Sequence, residues 1–383
     1  MVGNRNVHIV DTTLREGEQF AHAHFTHEHK VLIARALDAF GVEYLELTSP
    51  VASPQSEHDL CIIAGLDLRA RILTHTRCRF EDVERAVACG VDGINLLFGT
   101  SPMLRQSSHG LDLDQILHEA TRCIRYGQAN NVEVRFSCED AFRTDPSDLL
   151  RIYSAVDALG VNRVGIADTV GIATPRQVHE LVEQVRAAVT CDIEFHGHND
   201  GGCAIANAYA AVEAGATHIN TTVLGIGERN GIASLSGLIA RLYLSDSALV
   251  TSYDLPLLPH IDSLVADVLG IAIPFNSCIT GDTAFTHKAG LHTNAVLRNP
   301  HSYEALDPQV FGRDRAVLLG HRLTGHNAIA HRARALGLDL SPAELRYVTQ
   351  QIKARADHGP MSDADVDVLL YQYARTSALV IAD

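Results

Sequence analysis

"RVGIADTVGIATPRQVHELVEQVRAAVTCDIEFHGH", residues 163–198, decides the fold. A short apolar, β-branched run (163–168) gives way to a polar turn, then to the helix-like stretch 174–189, and a second strand-like run follows at 192–198. Strand, helix and strand in that order form a βα repeat, whose strands lie parallel because the helical crossover carries the chain back to the same end.

The rhythm extends backwards to the first residues and forwards to about residue 246. Strands are expected at 7–11, 44–49, 70–75, 93–99, 132–138, 163–168, 192–198 and 218–225, with helix-like stretches such as 29–41, 80–90, 111–127, 174–189 and 203–215 between them. Several of these close on glycine (Gly41, Gly90, Gly215), a helix C-terminal signal. Eight units in this span predict an α/β fold, a TIM-type (β/α)8 barrel; an open, doubly wound sheet of eight strands is the alternative. Past residue 250 the pattern changes to a helix within 254–276 flanked by proline-marked turns, a loop-rich segment 281–312, and helical stretches at 326–338, 341–359 and 362–376. The organisation expected is a catalytic barrel over 1–250, a linker subdomain over 251–320 and a smaller, mainly helical C-terminal region over 321–383.

Composition narrows the partners. With 383 residues, 46% hydrophobic, the chain can bury one large core, and its formal charge of −15 repels nucleic acid and anionic membranes while leaving room for an anionic small molecule in a locally positive pocket. Eight cysteines are scattered without CxxC pairs, and no signal-peptide pattern or long uncharged span opens the chain, which reads as a soluble, reduced, cytoplasmic protein. Of the 21 histidines, His22, His24, His27 and His29 crowd a polar loop and are expected to be solvated.

In such a barrel the functional side chains belong at the strand C-termini. Alternate residues of a strand share a face, so in "EFHGHND" (194–200) His196 and His198 both point into the barrel mouth, and Glu194 faces the same way, within reach of an imidazole. Two imidazoles are half a metal site, which a carboxylate from elsewhere would complete with positions left open for substrate; the alternative is a polar bridge across the barrel top. "DTTLREGEQ" (11–19) ends strand one, which adjoins strand eight once the barrel closes, so that Glu16 or Asp11 can face that cavity. In "VEVRFSCED" (132–140) Arg135, Ser137 and Glu139 share a face, and with Thr169 after strand six they suit a carboxylate or another tetrahedral anion, unless Arg135 merely pairs with Glu139. His75 ends strand three.

With "DTTLREGEQ", "HGHND", "GIGERNG" (225–231) and "HKAGLH" (287–292) in this order, the chain resembles the acyl-CoA-dependent 2-oxo-acid condensing enzymes, which include homocitrate, isopropylmalate and citramalate synthases. "TLREGEQF", "TSPVASPQS" (48–56), "RFSCEDAFR" (135–143) and "ADTVGIATPRQV" (167–178) are most similar to the homocitrate synthase branch. The resemblance implies an acyltransferase in which Glu16, His196 and His198 ligate a divalent metal (magnesium, manganese, zinc or cobalt), with Asn230 close by. It places Arg15 at the keto oxygen, supported by Asp11 and Gln19, and has Arg135, Ser137 and Thr169 grip the distal carboxylate of 2-oxoglutarate, with His75 on the substrate side. Acetyl-CoA is the co-substrate; Glu139 is counted among the catalytic groups, and His292 and Tyr303 are delivered for proton transfer by the neighbouring subunit of a homodimer. One position departs from the branch: an acid is replaced by Asn95, a change that eases binding of a more anionic substrate or weakens a cationic regulator such as lysine. Phosphonopyruvate, used by the related 2-phosphonomethylmalate synthases of phosphonate antibiotic pathways, is therefore an alternative acid. Isopropylmalate- or citramalate-type synthesis, an acyl-CoA lyase running the reverse reaction, and a barrel that binds metal without catalysis are the other readings. Glu18 has no role in any of them.

Overall fold

The structure, a computed structural model, describes residues 7–380, with side chains to residue 375. Residues 163–198 fold as expected. Arg163–Asp168 is a strand buried at every position, as a parallel sheet covered by helices requires. Thr174 and Gln177 then cap each other's backbone N–H groups, Pro175 sets the first turn, and the helix runs Pro175–Ala188 before the strand Asp192–Gly197.

Eight such strands form one closed parallel barrel. They are β1 (His8–Asp11), β2 (Tyr44–Leu47), β3 (Arg71–Arg77), β4 (Gly93–Gly99), β5 (Glu133–Glu139), β6 (Arg163–Asp168), β7 (Asp192–Gly197) and β8 (His218–Thr221). Around them lie α1 (His27–Phe40), α2 (Pro54–Ala64), α3 (Phe80–Ala88), α4 (Leu113–Ala129), α5 (Pro146–Ala158), α6 (Pro175–Ala188), α7 (Ala204–Ala214) and α8 (Leu235–Ser245). β1 pairs with β8 in parallel from His8 opposite His218 to Asp11 opposite Thr221, which closes the sheet and excludes the doubly wound alternative. The loops after β1, β7 and β8 thereby become neighbours at one end of the barrel.

The segment after α8 forms α9 (Leu258–Leu269), shorter than the 254–276 stretch because Pro259 starts it and Gly270, in the left-handed conformation at φ 64°, stops it. The chain divides into two compact units, Met1–Thr280 and Gly281–Asp383. In the second unit α10 (Gly290–Arg298), α11 (His326–Ala335), α12 (Pro342–Ala356) and α13 (Asp363–Val380) follow in order. Ile329, Val348, Ile352, Val366 and Leu370 make its core. One expectation is corrected: Cys61 on α2 and Cys89 at the end of α3 are joined as a disulfide, because the two helices bring their Cα atoms to 4.4 Å. The other six cysteines are free.

Asp262 of α9 is completely buried and accepts a hydrogen bond from Thr280 Oγ1 at 2.6 Å. Burial pushes its carboxyl up to about 6 from the ordinary 3.8. A carboxyl raised on folding costs nothing while protonated in both states; its cost grows as pH rises past the unfolded value and is complete above the folded one. Asp262→Asn should therefore raise Tm at pH 7 by a few degrees and lose that advantage near pH 4. Thermal melts at the two pH values check this, and an equal shift at both would contradict it.

Candidate metal and substrate site

The C-terminal mouth of the barrel encloses a cavity of about 150 Å³, small beside the roughly 300–1,000 Å³ of sites for drug-sized ligands. Its walls include Arg15, Glu16 and Gln19 from the turn after β1, His75 from β3, Arg135, Ser137 and Glu139 from β5, Thr169 after β6, and His196 and His198 from β7 and its end. Sequence reasoning singled out these ten but not Leu97, Ala167, Glu228 and Arg229, which also line it. Asn95 and Asn230, singled out with them, do not line it.

Glu16, His196 and His198 converge, with one ligand atom from each lying within 4.8 Å of the others. Glu16 Oε2 is 3.9 Å from His196 Nε2, Glu16 Oε1 is 3.9 Å from His198 Nε2, and the two Nε2 atoms are 3.3 Å apart. Burial alone would raise the Glu16 carboxyl, but Arg15, both imidazoles and the Glu228 backbone N–H bring it down to about 2. Burial also lowers both histidines, His196 well below its ordinary value. An ionised carboxylate and two neutral imidazoles are the protonation states a divalent cation requires, so these three residues fit a metal. Asp11, the other carboxylate considered for this position, lies outside the cavity: it accepts from Thr13 N at 2.9 Å and Thr221 Oγ1 at 3.2 Å, across the barrel seam.

The loop after β8 holds Glu16 in place. Glu228 N donates to Glu16 Oε1 at 2.9 Å, and a side chain at Gly227 would come within 2.9 Å of Glu16 Cγ. Gly231 is required more strictly, since a Cβ there would sit 1.8 Å from Gly225 O. Arg229 ties this loop to its neighbours, bonding Asp200 Oδ1 at 2.9 Å and Thr169 O at 2.8 Å. Asn230 is exposed, its amide 3.4 Å from Asp200 Oδ1.

Arg15 pairs with Glu16 and, through Nε at 2.7 Å, with Glu46 of β2. Glu46 was missed from sequence, although a carboxylate inside "YLELTS" signals an inward charge. It also accepts from Asn95 Nδ2 at 2.6 Å and lies 3.6 Å from His75 Nδ1. Against burial, Arg15, His75 and Arg135 keep its carboxyl well below the ordinary range. Glu139 has the opposite environment, and burial raises its carboxyl, as suits a group that exchanges protons.

Arg135 pairs with Glu194 at 3.1 Å and not with Glu139. Its guanidinium crosses the barrel over Gly165, where a Cβ would lie only 2.4–2.6 Å from it. Thr169 Oγ1 accepts from Asp140 N at 2.8 Å, which leaves its own proton free for an anion. Glu18, without a role in the sequence, bonds Thr48 Oγ1 at 2.5 Å and Lys30 Nζ at 2.7 Å, and Lys30 reaches Asp59 at 2.8 Å. It pins the turn that carries Arg15 and Glu16 to α1 and α2. In the second unit the rings of His292 and Tyr303 stack at 4.2 Å, and both residues are exposed.

These features define a (β/α)8 barrel whose mouth carries two histidines and a carboxylate that could hold a metal, in a cavity also lined by arginines. Residues 6–265 match the HMGL-like family, and residues 279–360 match the homocitrate synthase post-HMGL domain-like family. The chain is 54% identical to the mitochondrial homocitrate synthase of Schizosaccharomyces pombe, over 96% of its own length and 88% of that protein's. It is 52% identical to the cytosolic homocitrate synthase isozyme of Saccharomyces cerevisiae, covering 96% and 86% respectively. Among solved structures, the HMG-CoA lyase of Bacillus subtilis superposes with a TM-score of 0.63 at 20% identity, over 70% of this chain and 96% of that one, a likeness of fold. The chain belongs to the HMGL-like family, in its homocitrate synthase branch.

If Glu16 completes the donor set, manganese, cobalt or zinc at a hundred times its Kd should stabilise the wild type by about 2.7 kcal/mol. The accompanying rise in Tm should disappear with a chelator and in Glu16→Gln. An undiminished metal-dependent rise in Glu16→Gln would remove Glu16 from the site.

Proposed function

We propose that the chain condenses acetyl-CoA with 2-oxoglutarate, releasing homocitrate and CoA. The observation that carries this reading is a single small cavity combining the Glu16, His196 and His198 donor set with Arg15 and the Arg135, Ser137 and Thr169 group. The relatives at 52–54% identity over nearly the whole chain carry the homocitrate synthase name.

Glu16, His196 and His198 would hold a divalent cation, whose Lewis acidity would polarise the keto group when bound. Arg135, fixed by Glu194, and the Thr169 hydroxyl hold the distal carboxylate of the 2-oxo acid, with Ser137 beside them. A base removes a methyl proton from acetyl-CoA, the resulting enolate carbon bonds to the keto carbon, and the electron pair of the C=O bond moves to its oxygen. Arg15 is buried and clamped by Glu46, so its positive charge already lies where that negative charge develops and little reorganisation is needed. Water then cleaves the thioester, giving the free acid and CoA thiol. Glu139 and the exposed His292–Tyr303 pair are the groups we assign to proton transfer, the latter reaching the barrel of a partner subunit in a homodimer. We place the enzyme in the cytoplasm, as the name of its cytosolic homocitrate synthase relative from Saccharomyces cerevisiae supports.

Nothing in the cavity favours phosphonopyruvate. Asn95, on which that alternative rested, bonds Glu46 and does not line the cavity. CoA release followed with a thiol reagent, over 2-oxoglutarate, phosphonopyruvate, 2-oxoisovalerate, oxaloacetate and pyruvate, tests the assignment. The highest kcat/KM is expected for 2-oxoglutarate; a higher value for another acid would replace it, and no CoA release with any acid would end the synthase reading. Gly165→Ala, which displaces the Arg135 guanidinium, is expected to raise KM for 2-oxoglutarate about tenfold, the order of one lost charge-assisted contact. KM for acetyl-CoA should change little. A tenfold rise in both would mean general damage to the barrel.

A further inference from the structure

Below the metal set, one side chain belongs to none of the motifs and touches both halves of the site. Asn220, on β8 and 3% exposed, has Oδ1 3.0 Å from His196 Nδ1, and its Nδ2 donates to Glu194 Oε1 at 3.0 Å. Glu194 is completely buried and also pairs with Arg135 Nε at 3.1 Å and accepts from Arg163 Nε at 3.1 Å.

The bonding order around this group can be deduced. Carboxylate oxygens facing two guanidinium groups accept, so the atom Asn220 turns towards Glu194 is its NH₂ group. Its carbonyl oxygen then faces His196, and a carbonyl oxygen can only accept. His196 must therefore carry its proton on Nδ1, which leaves the Nε2 lone pair directed at Glu16 and His198. The chain of determination runs from the charge pair to the amide, from the amide to the tautomer, and from the tautomer to the ligand atom. The same Glu194 oxygen that orients the amide also pairs with Arg135, the arginine of the substrate clamp.

We propose that Asn220 is a positioning residue that fixes the tautomer and ring orientation of His196 and, through Glu194, links the metal ligand to the 2-oxo-acid clamp. The proposal rests on the metal reading above. Hydrogen-bonded partners of this kind set the affinity of metal-bound histidines.

Cobalt(II) serves as the probe, with its affinity and visible absorption spectrum measured on wild type, Asn220→Ala and Asn220→Asp, alongside thermal melts. Asn220→Ala removes both contacts and should weaken cobalt binding ~10–100-fold with an altered spectrum. Asn220→Asp is nearly isosteric and still accepts from His196 Nδ1, so it should recover most of the cobalt affinity. It presents a second carboxylate to Glu194, however, and 2-oxoglutarate binding to the cobalt-loaded protein should weaken about tenfold, the order of one altered charge contact. Cobalt affinity within threefold of wild type in Asn220→Ala would overturn the tautomer role. Equal losses in both variants would reduce Asn220 to packing, and unchanged 2-oxoglutarate binding in Asn220→Asp would overturn the link to the clamp. Wild type that binds no cobalt removes the metal reading, and this proposal with it; wild type that binds cobalt while Asn220→Ala also binds it normally leaves that reading standing and rejects only the present one.

Discussion

Closure of the barrel between β1 and β8 is the constraint on which the site depends. Thr12 N donates to Thr221 O at 2.7 Å, and the Asp11 carboxylate accepts from Thr221 Oγ1 on the far side of the seam. Those bonds bring the turn at residues 12–19 beside the ends of β7 and β8. Glu16 and the histidines at 196 and 198 are about 180 positions apart in the chain and share a cavity only because the first strand is hydrogen-bonded to the last. The loop after β8 then closes over Glu16 through the Glu228 N–H.

Once gathered, the charges balance one another. Arg15 is set between Glu16 and Glu46, Arg135 beside Glu194, and Arg163 between Glu194 and Glu133, all of them buried. Taking such ions out of water costs several kcal/mol apiece, and pairing returns that cost only where geometry is good, so a network like this contributes little to stability for its size. What it supplies is fixed orientation. A guanidinium held on both sides before substrate arrives does not have to reorganise when charge develops in front of it, and that is the condition for electrostatic catalysis.

The fold and much of the site were legible because both are written in local pattern. Alternation in "EFHGHND" put two imidazoles on one face, and the βα rhythm put that face at the mouth. Alternation could not choose between Asp11 and Glu16, because that choice depends on how the turn after β1 curls, and the curl is set by Gly227, Glu228 and the Glu18–Lys30–Asp59 anchor from distant parts of the chain. Glu46, Asn220 and the Cys61–Cys89 pairing were missed for the same reason: each owes its meaning to a partner on another element, 31 residues away for Arg15 and Glu46, 24 for His196 and Asn220, and 28 for the cysteines.

Asn95 shows how a substitution that looks like substrate specificity can concern the protein's own wiring. From sequence it removes a negative charge from the mouth. In the structure its amide points at Glu46, 2.6 Å away, so the relevant comparison is between a donor and a second carboxylate at hydrogen-bond distance from the first. Two carboxylates that close cannot both ionise without a cation between them. With asparagine, Glu46 is satisfied from within the fold by Arg15 and Asn95, with His75 near at hand, and the corner needs no external positive charge. The residue therefore bears on how Glu46, and through it Arg15, is held. In the function proposed above, the choice of 2-oxo acid falls instead to Arg135 and to the glycine at 165 that leaves room for it.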